Sequence, residues 1–333
     1  MDKEEVLIEL KKINAKKILL QIPDGLKPDA CDLFNDFSGL YSVIISSTSF
    51  YGACDIGNQE VYGKVDAIVQ FGHSEIPNIK YPIPVFFIEY FYKNIDLDDS
   101  IFDILKNDKI KNVGLLSSVQ YYNEMNYVKT KLEKLGFNVI IGKNDKRLKY
   151  PGQVLGCNFS SAHSISLFVD AYLLVSTGMF HGIGAQLSSD KSVYILDLNE
   201  KSVNNIKDNT DKFLRKRYAK IERAMDAKKF CVVMDTKIGQ YRKKLAENIH
   251  SKIISMGKDA ILVTTDNANP LDFENFMCDA VVFTGCPRVS IDDEDKFKMP
   301  VLTPVEFNML FGFNRNKKYV MDEIVSVDYS PIK

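Results

Sequence analysis

The sequence predicts an α/β protein of three similar domains with mostly parallel sheets, arranged around a pseudo-threefold axis. Two observations predict this. Strands and helices alternate through a unit of about a hundred residues that occurs three times, which is typical of repeated α/β domains. Each unit also contains an Asp-Ala pair followed by an apolar run, at Asp66, Asp170 and Asp279. We expect the domains to comprise residues 1–102, 103–205 and 206–333.

The first two units show the same order of elements. The first has predicted strands at Lys17–Ile22, Tyr41–Ser46, Asp66–Phe71 and Pro84–Ile88, and a helix near Pro28–Phe37. The second has predicted strands at Val113–Leu116, Phe137–Ile141, Asp170–Val175 and Ser192–Leu196, and an amphipathic helix at Asn123–Leu135. Both runs of strands are rich in β-branched and aromatic residues and are bounded by turn residues, as strands usually are.

The third unit follows a charged stretch, Lys201–Asp226, which predicts a linker and a helix. Its basic run Arg215-Lys216-Arg217 is interpreted as a solvated helical face, with a partner-binding patch as the alternative. The helix of the third unit is predicted at Tyr241–Met256. Its strands are predicted at Phe230–Met234, Asp259–Thr264 and Asp279–Phe283, with a fourth led by Val301–Pro304.

Composition and charge narrow the function classes. Lys and Arg total 43 and Asp and Glu total 44, so no overall basic field indicates a nucleic-acid partner. Apolar runs such as Val281–Phe283 are far too short to span a membrane. The acidic start of the chain lacks the apolar segment of a signal peptide. We therefore expect a cytoplasmic protein with no membrane and no nucleic-acid partner.

Three of the six cysteines suggest a shared site. Cys54, Cys157 and Cys286 each lie in a Gly-containing loop after the carboxyl end of a predicted strand. Parallel sheets carry their functional loops at those ends, so the three thiols would meet if the ends face inward. Three thiolates suit an iron–sulfur cluster with one open iron, or a zinc ion with an open fourth position. Inert core thiols are the remaining alternative.

The other cysteines are interpreted differently. A disulfide framework is not expected in a chain of this length without a secretion signal. We expect Cys31, on the first predicted helix, and Cys231 and Cys278, in or beside strands, to be buried free thiols.

Several polar residues follow strands at the same predicted edge. Lys237 and Arg288 lie in Gly-containing turns there, and Gln240 follows the first strand of the third unit. A guanidinium at this position suits the recognition of a substrate carboxylate. His73 and His181 end third strands at positions equivalent to Arg288, where a structural role is the more usual one.

At these residues the sequence resembles the archaeal and eukaryotic diphthamide biosynthesis family. The resemblance is carried by Tyr51-Gly52-Ala53-Cys54-Asp55, Phe71-Gly72-His73-Ser74, Asp235-Thr236-Lys237-Ile238-Gly239-Gln240 and Gly285-Cys286-Pro287-Arg288. It extends over about residues 15–312 and includes the order and spacing of the cysteine loops. Its characteristic enzyme is 2-(3-amino-3-carboxypropyl)histidine synthase.

The resemblance implies a specific chemistry. Cys54, Cys157 and Cys286 would hold a [4Fe-4S] cluster whose open iron meets S-adenosylmethionine (SAM). The family breaks the bond of the sulfonium to the methionine γ-carbon, which yields methylthioadenosine and a 3-amino-3-carboxypropyl radical. The radical adds to the imidazole C2 of one histidine in translation elongation factor 2, the protein partner. A homodimer is implied as well; the electron donor is not, and no catalytic side chain is expected beyond the cluster.

SAM contacts are expected at Arg288, Lys237 and Gln240, and at Gly178 and Gly182, where the backbone can approach the adenosyl group. Two other functions remain open. One is a [4Fe-4S] dehydratase similar to quinolinate synthase, which also has three α/β domains and three cysteines. The other is a non-catalytic partner subunit of the same diphthamide complex.

Overall fold

The computed structural model describes residues 1–57, 59–92, 96–312 and 318–328. It contains three mostly parallel β-sheets with associated helices, which confirms the predicted fold class. In each sheet the strands lie in the order second, first, third, fourth along the chain. The repeat seen in the sequence is therefore a repeat of topology. The domain boundaries at 102/103 and 205/206 stay a prediction.

The first sheet has four parallel strands in the order β2-β1-β3-β4. The strands are β1 Lys17–Gln21, β2 Ser42–Ser46, β3 Ala67–Phe71 and β4 Val85–Ile88. The α-helices are α1 Lys3–Lys12, α2 Ala30–Ser38 and α3 Gln59–Tyr62, and a 3₁₀ turn at Asp24–Asp29 leads into α2. The predicted helix near Pro28–Phe37 thus begins within a 3₁₀ turn that contains Pro28, and its α-helical part starts at Ala30.

The second sheet follows the same order and adds one antiparallel edge strand, β9. The strands are β5 Asn112–Ser117, β6 Asn138–Ile140, β7 Ala171–Val175, β8 Ser192–Asp197 and β9 Ser202–Asn205. The α-helices are α4 Asp103–Asn107, α5 Met125–Lys134, α6 Ser160–His163 and α7 Met179–Leu187. Two 3₁₀ turns, Asp99–Phe102 and Val119–Glu124, precede α4 and α5.

The third sheet has the order β11-β10-β12-β13, all parallel. The strands are β10 Lys229–Asp235, β11 Asp259–Thr265, β12 Ala280–Phe283 and β13 Val301–Leu302. The helices are α8 Lys207–Arg223, α9 Lys243–Ser255, α10 Pro270–Asn275, α11 Pro287–Ile291 and α12 Pro304–Leu310, with a 3₁₀ turn at Glu294–Lys296. In the described part of the chain no helix has the length and apolar character needed to cross a lipid bilayer.

The repeated aspartates have one structural role in all three sheets. Each lies just before the third strand of its sheet, and one carboxylate oxygen accepts two backbone N–H groups at the start of the neighbouring first strand. The distances are 2.7 and 2.8 Å for Asp66, 3.0 and 2.7 Å for Asp170, and 2.9 Å twice for Asp279. The carboxylate satisfies donors at the amino end of the sheet, where the ladder begins. The Asp-Ala repeat therefore marks the end of the sheet opposite the cysteine loops.

The core lies between the sheets and their helices. Every residue of β3, β7 and β12 is buried, as expected for central parallel strands covered on both faces. One apolar cluster runs from the second sheet into the third and includes Leu116, Tyr172, Val232 and Val282. This shared core fixes the positions of the second and third sheets, and of the loops at their ends, relative to each other.

The cysteines outside the candidate site correct the sequence prediction. Cys231 and Cys278 form a disulfide, with a Cα–Cα distance of 5.9 Å. Cys231 lies on β10 and Cys278 just before the adjacent β12, so the sheet places together two residues that are 47 positions apart. Cys31 is free and exposed instead of buried, because it lies on the outer face of α2.

The basic run Arg215-Lys216-Arg217 was only partly interpreted correctly. Arg215 and Lys216 are exposed on α8, but Arg217 is 1% exposed. Its Nε and Nη2 donate to the carboxylate of Glu306 at 2.6 and 2.7 Å, and Nη1 pairs with Glu294. The charge is buried because the helical period turns the third basic residue toward α12 and the 3₁₀ turn at Glu294–Lys296, where two carboxylates neutralise it.

Candidate metal centre

The structure brings the three predicted cysteines together. Cys54, Cys157 and Cys286 are free thiols that line one cavity of about 230 Å³. Each comes from the carboxyl-end loops of a different sheet, as the topology predicts. The cavity is also lined by Tyr51, Gly52, Ala53, His73, Ser74, Ile76, Ser118, Val119, Gln120, Arg147, Val154, Leu155, Gly156, Phe180, His181 and Arg288.

The Cys54 loop is held by the first and third sheets. A turn closes it, with Asp55 N donating to Gly52 O at 3.0 Å, and the buried amide of Gln70 on β3 donates to Asp55 O at 3.2 Å. Gly239 N, from the loop after β10, donates to Cys54 O at 2.9 Å. A Cβ on residue 239 would lie 2.4 Å from Cys54 Cβ, so only glycine permits this approach.

The Cys157 loop is a tight turn between Leu155 and Asn158, which exchange two backbone hydrogen bonds of 3.0 and 3.1 Å. Ile324 N, in the last described segment of the chain, donates to Cys157 O at 2.8 Å. The tip of this turn is therefore fixed from both sides, by its own ladder and by the C-terminal segment.

The Cys286 loop is held by a buried arginine. Arg242 Nε donates to Thr284 O at 2.6 Å and Nη2 donates to Gly285 O at 3.1 Å. Asp322, from the same C-terminal segment, pairs with the guanidinium at 2.6 Å. Cys286 itself is the N-cap of α11, which begins with Pro287. The strand end and the helix start thus fix the direction of the thiol.

Gln240 connects two of the cysteine loops. It is 1% exposed; Nε2 donates to Cys54 Sγ at 3.2 Å, and Oε1 accepts from Cys286 N at 3.0 Å. Both functional groups of its side chain are used to hold the cysteines. It lies outside the residues that line the cavity, and its predicted contact with SAM stays a prediction.

Lys237 is a partly buried ion-pair partner. Its Nζ lies 2.8 Å from Asp55 Oδ2, and it too lies outside the cavity lining. Burial raises the pKa of the nearby Asp235 to about 7, against the opposing effect of the Lys237 charge. Lys237 therefore supplies a positive charge next to the carboxyl groups of Asp55 and Asp235. A contact of Lys237 with SAM also stays a prediction.

Arg288 does line the cavity. Its guanidinium lies between the rings of Tyr51 and Phe180, at 5.2 and 4.9 Å from the ring centroids. Nε donates to Asp292 at 2.7 Å, one turn further along the chain. The ring contacts and the ion pair orient the guanidinium in the wall of the cavity, where it is suited to bind a carboxylate.

The predicted glycines lie on α7 beside the cavity. Gly178 is the N-cap of α7 and has a φ of 81°, a conformation that favours glycine. A Cβ on Gly182 would lie 2.4 Å from Ile195, so this glycine lets α7 pack closely against β8. Neither residue lines the cavity, whereas Phe180 and His181 between them do. Backbone contacts of Gly178 and Gly182 with SAM stay a prediction.

His73 and His181 both lie in the wall of the cavity, at the predicted strand ends. Burial lowers the pKa of each imidazole to about 4, and the charge of Arg288 contributes for His181. Both side chains are therefore neutral at pH 7. They add polar but uncharged groups to the cavity that the thiols also line.

Arg147 is a charged residue of the cavity that the sequence did not predict. It lies in the polar stretch between β6 and the Cys157 loop, is 1% exposed, and lines the cavity. Nη2 donates to Gly239 O at 2.7 Å, while Nε and Nη1 have no hydrogen-bond partner among the described residues. In the sequence it is one basic residue among several in Lys143–Lys149, without any periodic signal.

The three cysteine thiols are suited to bind a metal centre. Burial raises the pKa of Cys54 to about 12, with Cys157 adding to the effect, and burial likewise raises the pKa of Cys286. Such thiols become thiolates when a metal replaces the proton. In residues 1–57, 59–92, 96–312 and 318–328, no three His, Cys, Asp or Glu side chains are placed to hold one metal ion. Three thiols around one cavity are the donors of an iron–sulfur cluster with one open iron, and they also suit a zinc ion with an open fourth position.

Comparison with known proteins identifies the family. A family model for diphthamide synthesis proteins matches residues 22–321 of this chain. The chain belongs to the diphthamide synthesis family. A relative named 2-(3-amino-3-carboxypropyl)histidine synthase from Pyrococcus horikoshii is 35% identical, and the match covers 97% of this chain and 93% of the relative. A protein of the same name from Methanocaldococcus jannaschii is 27% identical over 99% and 94%.

The fold of a family member agrees. The crystal structure of Dph2 from Pyrococcus horikoshii with a 4Fe-4S cluster is 32% identical to this chain, with a TM-score of 0.87 over 98% of this chain and 95% of that one. Subunit 1 of the synthase from Schizosaccharomyces pombe is 30% identical, over 90% of this chain and 70% of the relative. This chain is thus similar both to archaeal proteins named as the synthase and to a eukaryotic protein named as subunit 1 of the synthase.

Proposed function

We propose that this chain is a [4Fe-4S] enzyme that transfers the 3-amino-3-carboxypropyl group of SAM to the imidazole C2 of a histidine in translation elongation factor 2. The observation that carries the proposal is that Cys54, Cys157 and Cys286, one from each sheet, line a single cavity. The names of the family members and the 4Fe-4S cluster of the Pyrococcus Dph2 structure support it.

Cys54, Cys157 and Cys286 would hold the cluster as thiolates, a set of three ligands that would leave one iron open. When bound, the cluster supplies the electron that breaks the bond between the sulfonium and the methionine γ-carbon, giving methylthioadenosine and a 3-amino-3-carboxypropyl radical. The chain supplies the rest: it holds SAM in one orientation and keeps water from the reacting atoms.

Arg288 is the residue best placed to bind the methionine carboxylate of SAM. Its guanidinium faces the cavity between two aromatic rings, and the described contacts with Asp292 use only Nε. The two Nη groups match the spacing of a carboxylate. The neutral imidazoles of His73 and His181 line the same cavity and add hydrogen-bonding capacity without charge.

The protein substrate must reach this cavity with one histidine side chain. We propose that the working form is a homodimer in the cytoplasm, as the family resemblance implies.

The test is cluster assembly followed by product analysis. Anaerobically reconstituted protein should contain a [4Fe-4S] cluster with an electron paramagnetic resonance (EPR) signal on reduction. With SAM, reductant and elongation factor 2 it should release methylthioadenosine and increase the mass of the elongation factor. Cys54→Ala, Cys157→Ala and Cys286→Ala should each abolish release. Cys31→Ala, at an exposed thiol outside the cavity, is the matched control and should retain it.

Two results would contradict the proposal. A chain that takes up no iron under anaerobic reconstitution would rule out the cluster. A chain that assembles the cluster but never releases methylthioadenosine would instead support the role of a non-catalytic partner subunit.

A further inference from the structure

Arg147 is a buried cation with unused donors. The side chain is 1% exposed, and among the described residues only Nη2 has a hydrogen-bond partner, the carbonyl oxygen of Gly239 at 2.7 Å. Nε and Nη1 are both buried without an acceptor, and no carboxylate in the described part of the chain forms an ion pair with this guanidinium. Two further arginines are buried in the part of the chain that the structure describes, Arg217 and Arg242, and each is paired with an acidic side chain.

A buried guanidinium with two unused N–H groups lowers the stability of the fold. A buried charge without a counter-ion and buried N–H groups without acceptors each destabilise the fold. The wall that contains Arg147 faces the cavity of the three cysteines. An anionic group in that cavity would supply both the missing acceptors and the missing charge.

The position of Arg147 relative to Cys54 is well defined. Gly239, whose carbonyl accepts from Arg147, also donates its N–H to Cys54 O at 2.9 Å. Arg147, Gly239 and Cys54 therefore form one hydrogen-bonded chain that joins all three sheets' loops. The guanidinium acts electrostatically on the Cys54 thiol as well. Of the three cysteines, Cys54 is the one to which Arg147 is tied.

We propose that Arg147 is a positioning residue for the cluster: its Nε–H and Nη1–H donate to sulfur on the Cys54 side, and its charge raises the reduction potential. This inference rests on the proposed function. Three thiolates would give the oxidised cluster a net negative charge, and one-electron reduction would add a further unit of negative charge. A buried cation favours the more negative state, and hydrogen bonds to the sulfurs act in the same direction.

The test is a redox titration followed by EPR on four full-length proteins. These are wild type, Arg147→Gln, Arg147→Lys and Lys146→Gln, each reconstituted anaerobically. Lys146 is exposed and adjacent in sequence, so Lys146→Gln removes the same charge outside the cavity. Wild type and Lys146→Gln should have equal potentials. At a fixed applied potential, the ratio of reduced to oxidised cluster should be at least tenfold lower in Arg147→Gln than in wild type. This corresponds to a reduction potential that is lower by about 59 mV for one electron. Arg147→Lys should lie between them.

Cluster content and thermal unfolding of each protein accompany the titration. Failure of a folded Arg147→Gln chain to hold iron, when Arg147→Lys holds it, would also support the positioning role. If Arg147→Gln does not fold, Arg147→Lys carries the test, and its potential must be lower than that of wild type.

Three outcomes would overturn the inference. Equal potentials in wild type and the Arg147 variants would overturn it alone and leave the proposed function intact. Equal potentials with a raised dissociation constant for SAM would assign Arg147 to the SAM carboxylate instead. A wild-type chain that assembles no cluster would overturn both this inference and the proposed function.

Discussion

Gln240 Nε2 donates a hydrogen bond to Cys54 Sγ at 3.2 Å, and through the opposite end of the same amide Gln240 accepts from Cys286 N. One side chain from the loop after β10 therefore connects two cysteine loops that come from different sheets. The family resemblance predicts a SAM contact for Gln240. The geometry adds a role in holding the thiols.

Gln240→Leu should weaken cluster assembly. Leucine removes both hydrogen bonds and leaves the buried N–H of Cys286 without an acceptor, which costs about 1–3 kcal/mol. We expect less iron per chain after reconstitution and a lower unfolding temperature. Gln120→Leu is the control, because Gln120 is an exposed amide at the same cavity. Full iron content in Gln240→Leu with weakened SAM binding would show that the predicted SAM contact is the main role.

The Cys231–Cys278 disulfide predicts a definite alkylation pattern. Four of the six cysteines are free, at positions 31, 54, 157 and 286. Iodoacetamide should therefore add four groups to the anaerobically denatured, unreduced chain and six after reduction, as measured by mass spectrometry. Six groups without reduction would mean that the disulfide is absent in the purified protein.

Loss of that disulfide should also destabilise the third sheet. Replacing Cys231 and Cys278 together by alanine removes a cross-link over 47 residues and is expected to cost about 2–4 kcal/mol. Urea unfolding measures the change. Cys31→Ala, at a free exposed cysteine, should unfold at the wild-type midpoint.

Arg217→Met should be strongly destabilising. The substitution leaves Glu306, which is fully buried, without its cation, and breaking a buried pair in this way costs about 3–5 kcal/mol. Arg215→Met removes an equal charge from the exposed face of the same helix and should change stability little. Equal unfolding temperatures for the two variants would contradict the assignment of Arg217 to the core.

The repeated aspartates predict a pH-dependent contribution to stability. Backbone hydrogen bonds from Lys229 and then Lys228 lower the pKa of Asp279 below its ordinary value. The carboxylate therefore stabilises the fold above the unfolded pKa of about 4, and this stabilisation is lost as pH falls through the folded pKa. Asp279→Ala should cost about 1 kcal/mol at pH 7, since the group is exposed and partly screened.

Urea midpoints at pH 7 and pH 3 check this. The difference between wild type and Asp279→Ala should shrink at pH 3, and Asp279→Asn should lie between the two at pH 7. Asp211→Ala, at an exposed position on α8, is the control. A difference of constant size at both pH values would show that the charge of Asp279 contributes nothing.

Much of the fold was predictable because its signals are local. The apolar runs that form β1, β3, β7 and β12 are short, rich in β-branched residues and bounded by turns. Such a run is enough to indicate a strand of a parallel sheet that is buried on both faces. The Asp-Ala repeat was visible too, although its reason was not. Only the pairing of each third strand with a first strand shows that the aspartate caps the start of the neighbouring strand.

The chain alone also determined which cysteines lie after strand ends, and hence that Cys54, Cys157 and Cys286 belong to one edge of the architecture. Tertiary structure decided the rest: the Cys231–Cys278 pair, the burial of Arg217, and the place of Arg147 beside Cys54. Each of these depends on contacts between residues far apart in sequence. Whether a charge can be buried, or a thiol can form a disulfide, depends on a partner residue that lies far away in the sequence. A local sequence pattern contains no information about that partner.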